Sequence, residues 1–203
     1  MSLQQLTCFK AYDVRGELGV DFDADIAYRI GRAVAQHFLA KKVVVGRDAR
    51  ETSPQLAEAV ACGVTDAGAD VLDLGLCGTE EMYWAVTQFN ACAGIEVTAS
   101  HNPINYNGMK IVKSRSRPLD EIKDFQKIKL LATTAKWSSE ILAGDIRNIS
   151  VKGRKKYVEK CLSFVEVNSF KDLRIVVNCG NGAAGPSIDI ITKKLPGNHI
   201  VLF

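Results

Sequence analysis

No apolar run in this sequence approaches the roughly 18 residues that a membrane-spanning helix requires. The stretch Met1–Leu6 also lacks the basic start and apolar core of a secretion signal, so a soluble cytoplasmic protein without membrane contact is expected. Six cysteines (Cys8, Cys62, Cys77, Cys92, Cys161, Cys179) include no C-x-x-C pair, which argues against both a disulfide frame and a zinc site. Most stand in apolar surroundings and read as small buried thiols. An excess of one charge is missing too. Lys and Arg number 26 against 23 Asp and Glu, a formal net charge of +3, and the one basic cluster, Lys152–Lys156, reads as a solvated helix face. That leaves no electrostatic footprint for nucleic acid. What remains is a chain of 203 residues, 47% hydrophobic and 24% charged, able to bury a core.

Ile26, Ile30, Val34 and Phe38 recur at helical spacing behind Asp23 and Asp25, predicting a helix from Asp25 to about Leu39. Lys42–Val45 shows no polar alternation, as in a strand covered on both faces. Ser53-Pro54 reads as an N-cap followed by proline at the first helical position, opening a helix through Leu56, Val60 and Val64 to Gly68. Val71–Leu74 is the next strand. Thr79 is expected to cap a helix with Glu80 and Glu81 in its first turn, burying Met82, Val86 and Phe89 and using Trp84 for packing. Gly94–Val97 and Met109–Val112 read as strands, and Leu119 to about Thr133 as an amphipathic helix through Ile122, Phe125 and Ile128. Lys136–Ser150 is expected to be loop with a short Ile141-Leu142 segment, followed by a helix over Lys152–Val165. Leu173–Val177 reads as a strand, Ile188, Ile191 and Leu195 as a helix, and His199–Phe203 as a final apolar strand with nothing after it, so the sequence looks cut short.

This alternation calls for an α/β fold, a mixed, largely parallel sheet sandwiched by helices. Such sheets bind ligands beyond the carboxyl ends of their strands. Gly46-Arg47-Asp48-Ala49-Arg50 and Ser100 both fall at such ends. Ser100 belongs to the string Thr98-Ala-Ser-His-Asn-Pro-Ile-Asn-Tyr-Asn-Gly-Met-Lys110. There Pro103 holds Asn102 to extended or turn geometry, and Gly108 is free to adopt positive φ. A lone loop serine more often just satisfies backbone groups. A stiff loop carrying a hydroxyl, an imidazole, amides and a lysine is a place for chemistry.

The string resembles the phosphoserine loop of the α-D-phosphohexomutases, the phosphomannomutase and phosphoglucomutase superfamily. Phe9–Gly16, Gly46–Arg50 and Val176–Gly185 match the superfamily in the same order. Gly78-Thr79-Glu80-Glu81 and the Asn181–Pro186 segment are most similar to bacterial phosphomannomutases. The resemblance covers essentially the whole chain, although family members have further domains and more than twice this length. It implies a first domain over residues 1–150 holding the phosphoserine loop, and over 151–203 a bridging helix and the truncated start of a second, similar α/β domain.

For the site, the resemblance implies that Ser100 carries a phosphoryl group, one oxygen of which binds Mg²⁺. Lys110 and Arg15 would supply fixed positive charge, and His101 would orient the loop or move protons. Tyr12, Arg15, Asn102 and Lys110 would contact substrate, with Asp13, Asp48 and Arg50 bracing them from behind. The implied reaction interconverts mannose 6-phosphate and mannose 1-phosphate through a phosphoserine and a bisphosphorylated sugar, with a hexose 1,6-bisphosphate as activator. It would feed GDP-mannose and surface polysaccharide synthesis. A serine ester suits that task because it splits the transfer into two simple steps.

Three family parts are absent: the Asp-Gly-Asp-Gly-Asp-Arg metal loop, the glutamate and serine loop for sugar hydroxyls, and the arginine and serine cluster for the substrate phosphate. Little or no turnover is therefore expected of this chain alone. Other readings are a phosphoglucomutase, a non-catalytic module that binds sugar phosphate or a partner, and a nucleotide-binding protein using Gly180–Gly185. The last satisfies G-x-G-x-x-G but lacks an acidic residue about twenty positions on, Asp189 being the final carboxylate side chain.

Overall fold

A computed structural model describes residues 6–138 and 142–202. The Met1–Gln5 stretch, Ile141 and Phe203 of the readings above lie outside the described residues. In chain order the elements are β1 (Val14–Glu17), α1 (Ala24–His37), β2 (Lys42–Arg47), α2 (Ser53–Asp66), β3 (Asp70–Leu76), α3 (Thr79–Gln88), β4 (Ala93–Val97) and β5 (Tyr106–Lys113). They continue with β6 (Arg117–Pro118), α4 (Gln126–Thr134), β7 (Ile146–Asn148), α5 (Ser150–Leu162), β8 (Arg174–Asn178), α6 (Gly185–Thr192) and β9 (Asn198–Leu202).

The main sheet runs β1-β5-β4-β2-β3-β7, with β6 beside β5. β4, β2, β3 and β7 are parallel, whereas β5 is antiparallel to both β4 and β1. Alternation along β2 explains the unbroken apolar run. Val43 and Val45 join the core under α1, α2 and α4, while Val44 joins the core under α3 with Leu72, Leu74, Met82 and Val86. Strand β4 is buried at every position, as the middle of a sheet covered on both faces must be. No described helix is long and apolar enough to cross a membrane.

Local signals read from the sequence meet mixed fates. Asp23 caps α1 by accepting from the Ile26 amide at 2.8 Å. Ser53 does not cap α2. It is the first helical residue, and its hydroxyl donates to Asp48 Oδ1 at 2.5 Å, a stronger claim than the one the helix end makes. Thr79 likewise lies inside α3, with Gly78 at the cap. The expected helix from Leu119 begins instead as a wide π turn over Glu121–Phe125. The extra residue in that turn swings Ile122 outward to 76% exposure while Phe125 and Ile128 stay buried.

The loop expected over Lys136–Ser150 contains β7, whose three exposed residues carry no alternation to betray it. Cys8 and Cys77 are buried, but Cys62 is exposed on the outer side of α2. Trp84 packs edge-on against Phe89 and Tyr157. Beyond α5 the architecture thins. β8 and β9 pair with each other in parallel, and along both strands exposed residues alternate with half-buried ones.

Candidate active site

Two parallel strands, β2 and β4, end side by side, with Arg47 in register with Val97. Each releases its loop at the same rim, and hydrogen bonds lock the two loops together. Arg50 is the fork that does so. Its Nη1 donates to the carbonyls of Pro103 (2.8 Å) and Tyr106 (3.1 Å), and its Nη2 to those of Ser100 (3.0 Å) and Asn102 (2.6 Å). Asp48 completes the frame. Its Oδ1 accepts from Ser53 Oγ and from the Arg50 amide at 3.0 Å, and its Oδ2 from Thr98 Oγ1 at 2.7 Å. Thr98 Oγ1 in turn accepts from the Ser100 amide at 2.9 Å.

This frame holds Ser100 at φ +54°, the left-handed region that non-glycine residues rarely adopt. The consequence is an exposed serine side chain at the sheet's rim. His101 Nδ1 lies 3.3 Å from Ser100 Oγ. Gly108 is not the positive-φ residue expected from the sequence. It sits in β5, where a Cβ would come within 2.0 Å of the Val14 carbonyl of β1, so its role is to let that strand approach. Asn107, fully buried beside it, donates to Thr52 Oγ1 (2.9 Å) and Ser53 Oγ (3.0 Å). A continuous polar path thus runs Asn107, Ser53, Asp48, Thr98, Ser100 amide. Thr98, Ser53 and Asn107 were missed as site residues. The Thr-x-Ser spacing was the available signal, since a threonine hydroxyl reaches the amide two residues on.

Of the nine residues singled out from the sequence, seven join one hydrogen-bonded assembly: Ser100, His101, Asn102, Arg15, Asp13, Asp48 and Arg50. Arg15 Nη1 donates to Asn102 Oδ1 at 2.7 Å and Nη2 to Asp13 Oδ2 at 2.6 Å, so its charge is already balanced by a carboxylate. Tyr12 and Lys110 lie in a neighbouring depression of about 310 Å³ together with Asp13, Tyr83 and Glu121. Arg15 joins the two by bonding Asp13 on one side and Asn102 on the other. Tyr12 is 93% exposed. Ser100 opens onto a larger cleft of about 680 Å³, lined by Asp48, Arg50, Thr98 and Asn102 on one side and by Gly180–Ala183 on the other.

Behind the rim, Glu96 of β4 is buried with its Oε1 unpartnered, while its Oε2 accepts from Cys77 Sγ at 3.4 Å. Gly46 on β2 makes this possible, because a Cβ there would meet Glu96 Oε2 at 2.3 Å and Cys77 Sγ at 2.5 Å. Burial pushes the Glu96 carboxyl well above the usual carboxylate range, and the nearby Asp48, Glu80 and Glu81 charges add to it. Burial also pushes the Cys77 thiol up, as do Glu96 and Glu81, so Cys77 is no nucleophile.

The magnesium implied by the resemblance does not fit the residues present. No group of three or more His, Cys, Asp or Glu side chains among the described residues is arranged to hold a metal, and both Asp48 oxygens are committed to the frame. A phosphorylated Ser100 would offer one anionic group, and Mg²⁺ ordinarily takes more.

Residues 6–138 match the family model for the phosphoglucomutase/phosphomannomutase α/β/α domain I, and the chain belongs to that family. Among its relatives, a phosphomannomutase of Salmonella montevideo is 46% identical over 195 residues, and one of Escherichia coli 49% identical over 195 residues. Each alignment covers 95% of this chain and 42% of the relative, so the chain spans about two-fifths of their length. A crystal structure of a phosphoglucomutase/phosphomannomutase family protein from Burkholderia thailandensis superposes with a TM-score of 0.82 at 33% identity, covering 99% of this chain and 44% of the other. The mixed α/β fold read from the sequence is thus the family's fold.

Proposed function

We propose that Ser100 is a phosphoryl carrier in a phosphomannomutase that interconverts mannose 6-phosphate and mannose 1-phosphate through a hexose 1,6-bisphosphate, a supply step for GDP-mannose and polysaccharide synthesis. The observation that carries this reading is the exposed Ser100 hydroxyl, presented in a left-handed conformation by Arg50's grip on four carbonyls. A backbone held this way meets its phosphoryl donor already oriented.

In the first half-reaction the Ser100 Oγ–P bond forms as the sugar O–P bond of the bisphosphate breaks. The serine proton passes to His101 Nδ1 and from there to the departing sugar oxygen. In the reverse half-reaction the phosphoserine O–P bond breaks as the free hydroxyl of a hexose monophosphate takes the phosphoryl group, giving the bisphosphate and the free serine. After that sugar turns over, Ser100 takes the phosphoryl group from its other position and the isomeric monophosphate leaves. Lys110 from the adjoining depression, and Arg15 less the share that Asp13 already balances, supply positive charge to the bound sugar phosphate, which in a loose transition state is most of what a protein contributes. No step is assigned to Mg²⁺ in this chain, and steady turnover by it alone is not expected.

Incubation with glucose 1,6-bisphosphate or mannose 1,6-bisphosphate followed by intact mass measurement tests the reading. An added phosphate of about 80 Da is expected in the wild type and none in Ser100→Ala. Uptake that survives Ser100→Ala would move the carrier elsewhere, and none in the wild type would remove the carrier role from this chain.

A further inference from the structure

Gly180–Ala183 form one wall of the Ser100 cleft, yet they belong to a segment with very few ties to the sheet. Among the described residues, a single hydrogen bond joins residues 163–202 to residues 6–148. Ser187 Oγ donates to Glu81 Oε2 at 3.2 Å. Both side chains are buried, Glu81 at 2% and Ser187 at 7% exposure. Ser187 lies in the first turn of α6, which begins directly after the glycine-rich turn. Glu81 lies in the first turn of α3, directly after the β3 end that carries Leu76 and Cys77. Arg154 of α5 donates to the Leu76 carbonyl, and its charge lies close enough to favour the ionised Glu81 carboxyl. The second carboxyl oxygen, Glu81 Oε1, is buried without a partner.

A buried carboxylate spent on a single hydroxyl is a costly arrangement for stability alone, since burial works against its charged form. Replaced by an apolar pair of similar volume, the contact would pack equally well. What the polar pair adds is direction, because a hydrogen bond fixes the approach of α6 to α3 where apolar packing lets it slide. We propose that Glu81 is a positioning residue, gripping Ser187 so that the glycine-rich turn stands at a fixed distance across the cleft from Ser100. The inference rests on Ser100 being the phosphoryl carrier only for its consequence in chemistry; the grip itself stands on the geometry.

Amide hydrogen exchange in α6 reads the grip directly, because an eight-residue helix does not hold itself in water and is protected only while docked. In Glu81→Ala and in Ser187→Ala, exchange over residues 180–192 is expected to quicken by about tenfold, with β2 and β4 unchanged. The double variant should quicken it no further, and Glu81→Gln, which keeps an acceptor oxygen, should restore protection. Unchanged exchange in the alanine variants, or exchange quickened equally throughout the chain, would overturn the proposal. A parallel intact-mass assay with glucose 1,6-bisphosphate separates the two readings. Slower uptake at Ser100 in Glu81→Ala, restored in Glu81→Gln, supports positioning, and wild-type uptake with a loosened α6 refutes it. No uptake in any form, the wild type included, removes the carrier reading while exchange still decides the grip.

Discussion

Strands β4 and β8 look alike as sequence, Ala-Gly-Ile-Glu-Val against Arg-Ile-Val-Val-Asn, both short and β-branched, and they end in opposite circumstances. β4 lies between β2 and β5 with helices on both faces and is buried throughout. β8 pairs with β9 alone among the described residues, and Val176 on it is 63% exposed. An apolar side chain contributes in proportion to the area its neighbours take from water. The loop after β4 is held by charged forks, whereas the turn after β8 is tied to the sheet by one buried hydroxyl. Stability in this chain therefore sits in the serine-loop half, and adjustability in the other.

The sharpest break of that contrast is a pair of truncations. Ile95→Ala in β4 is expected to cost about 3 to 4 kcal/mol, and Val176→Ala in β8 less than about 0.5, measured by urea denaturation. Equal effects would mean the two strands are equally buried in solution. Arg50→Ala comes next, at about 3 kcal/mol, because four carbonyls lose one charged donor together. Phosphoryl uptake at Ser100 should slow by about a hundredfold, and Arg50→Lys should not rescue it, since an ammonium cannot fork across four acceptors.

Asp124 gives a pH signature confined to the first half. Burial alone would raise its carboxyl, but bonds from Lys113 (2.6 Å) and His37 (3.0 Å) outweigh that and bring it down to about 2. A carboxyl held below its unfolded value of about 3.9 lends stability above that pH and loses it as pH falls toward 2. Asp124→Ala should therefore cost about 2 kcal/mol at pH 7 and almost nothing near pH 2. Glu96 should behave in the opposite sense. Because its folded carboxyl binds the proton more tightly than the unfolded one, stability declines as pH rises past about 4.3. Glu96→Gln should flatten part of that decline and leave the protein about 1 kcal/mol more stable at pH 8. Glu81, raised by its own burial, contributes in the same direction.

Much of this was legible from residue order. The periodicity of α1, the two-sided apolar run of β2 and the strand on either side of the serine loop follow from spacing alone, and so does the meeting of Asp48, Arg50 and Ser100 at one rim. Ser53 and Thr79 were misread because a hydroxyl at a helix start looks like a cap whether it stands just before the first turn or, as both do, inside it. The Ser53 hydroxyl bonds Asp48 instead. Ile122 faced outward because a single extra residue in one turn is invisible to a period of 3.6. The identity of the strained residue was also hidden. Gly108 advertises conformational freedom, while Ser100 is the residue made to adopt the left-handed form.

Residue types and their spacing determined the fold class and put the Ser100 loop and the Asp48–Arg50 segment at strand ends on one rim, because periodicity is written into the chain itself, while the chemistry of that loop entered through its resemblance to the phosphohexomutases. Tertiary structure alone decided which acceptors Arg50 serves, that Arg15 reaches Asn102, and that Glu81 reaches Ser187 across 106 positions of sequence. Those are choices between competing partners brought together only by packing, and no local pattern encodes which one wins.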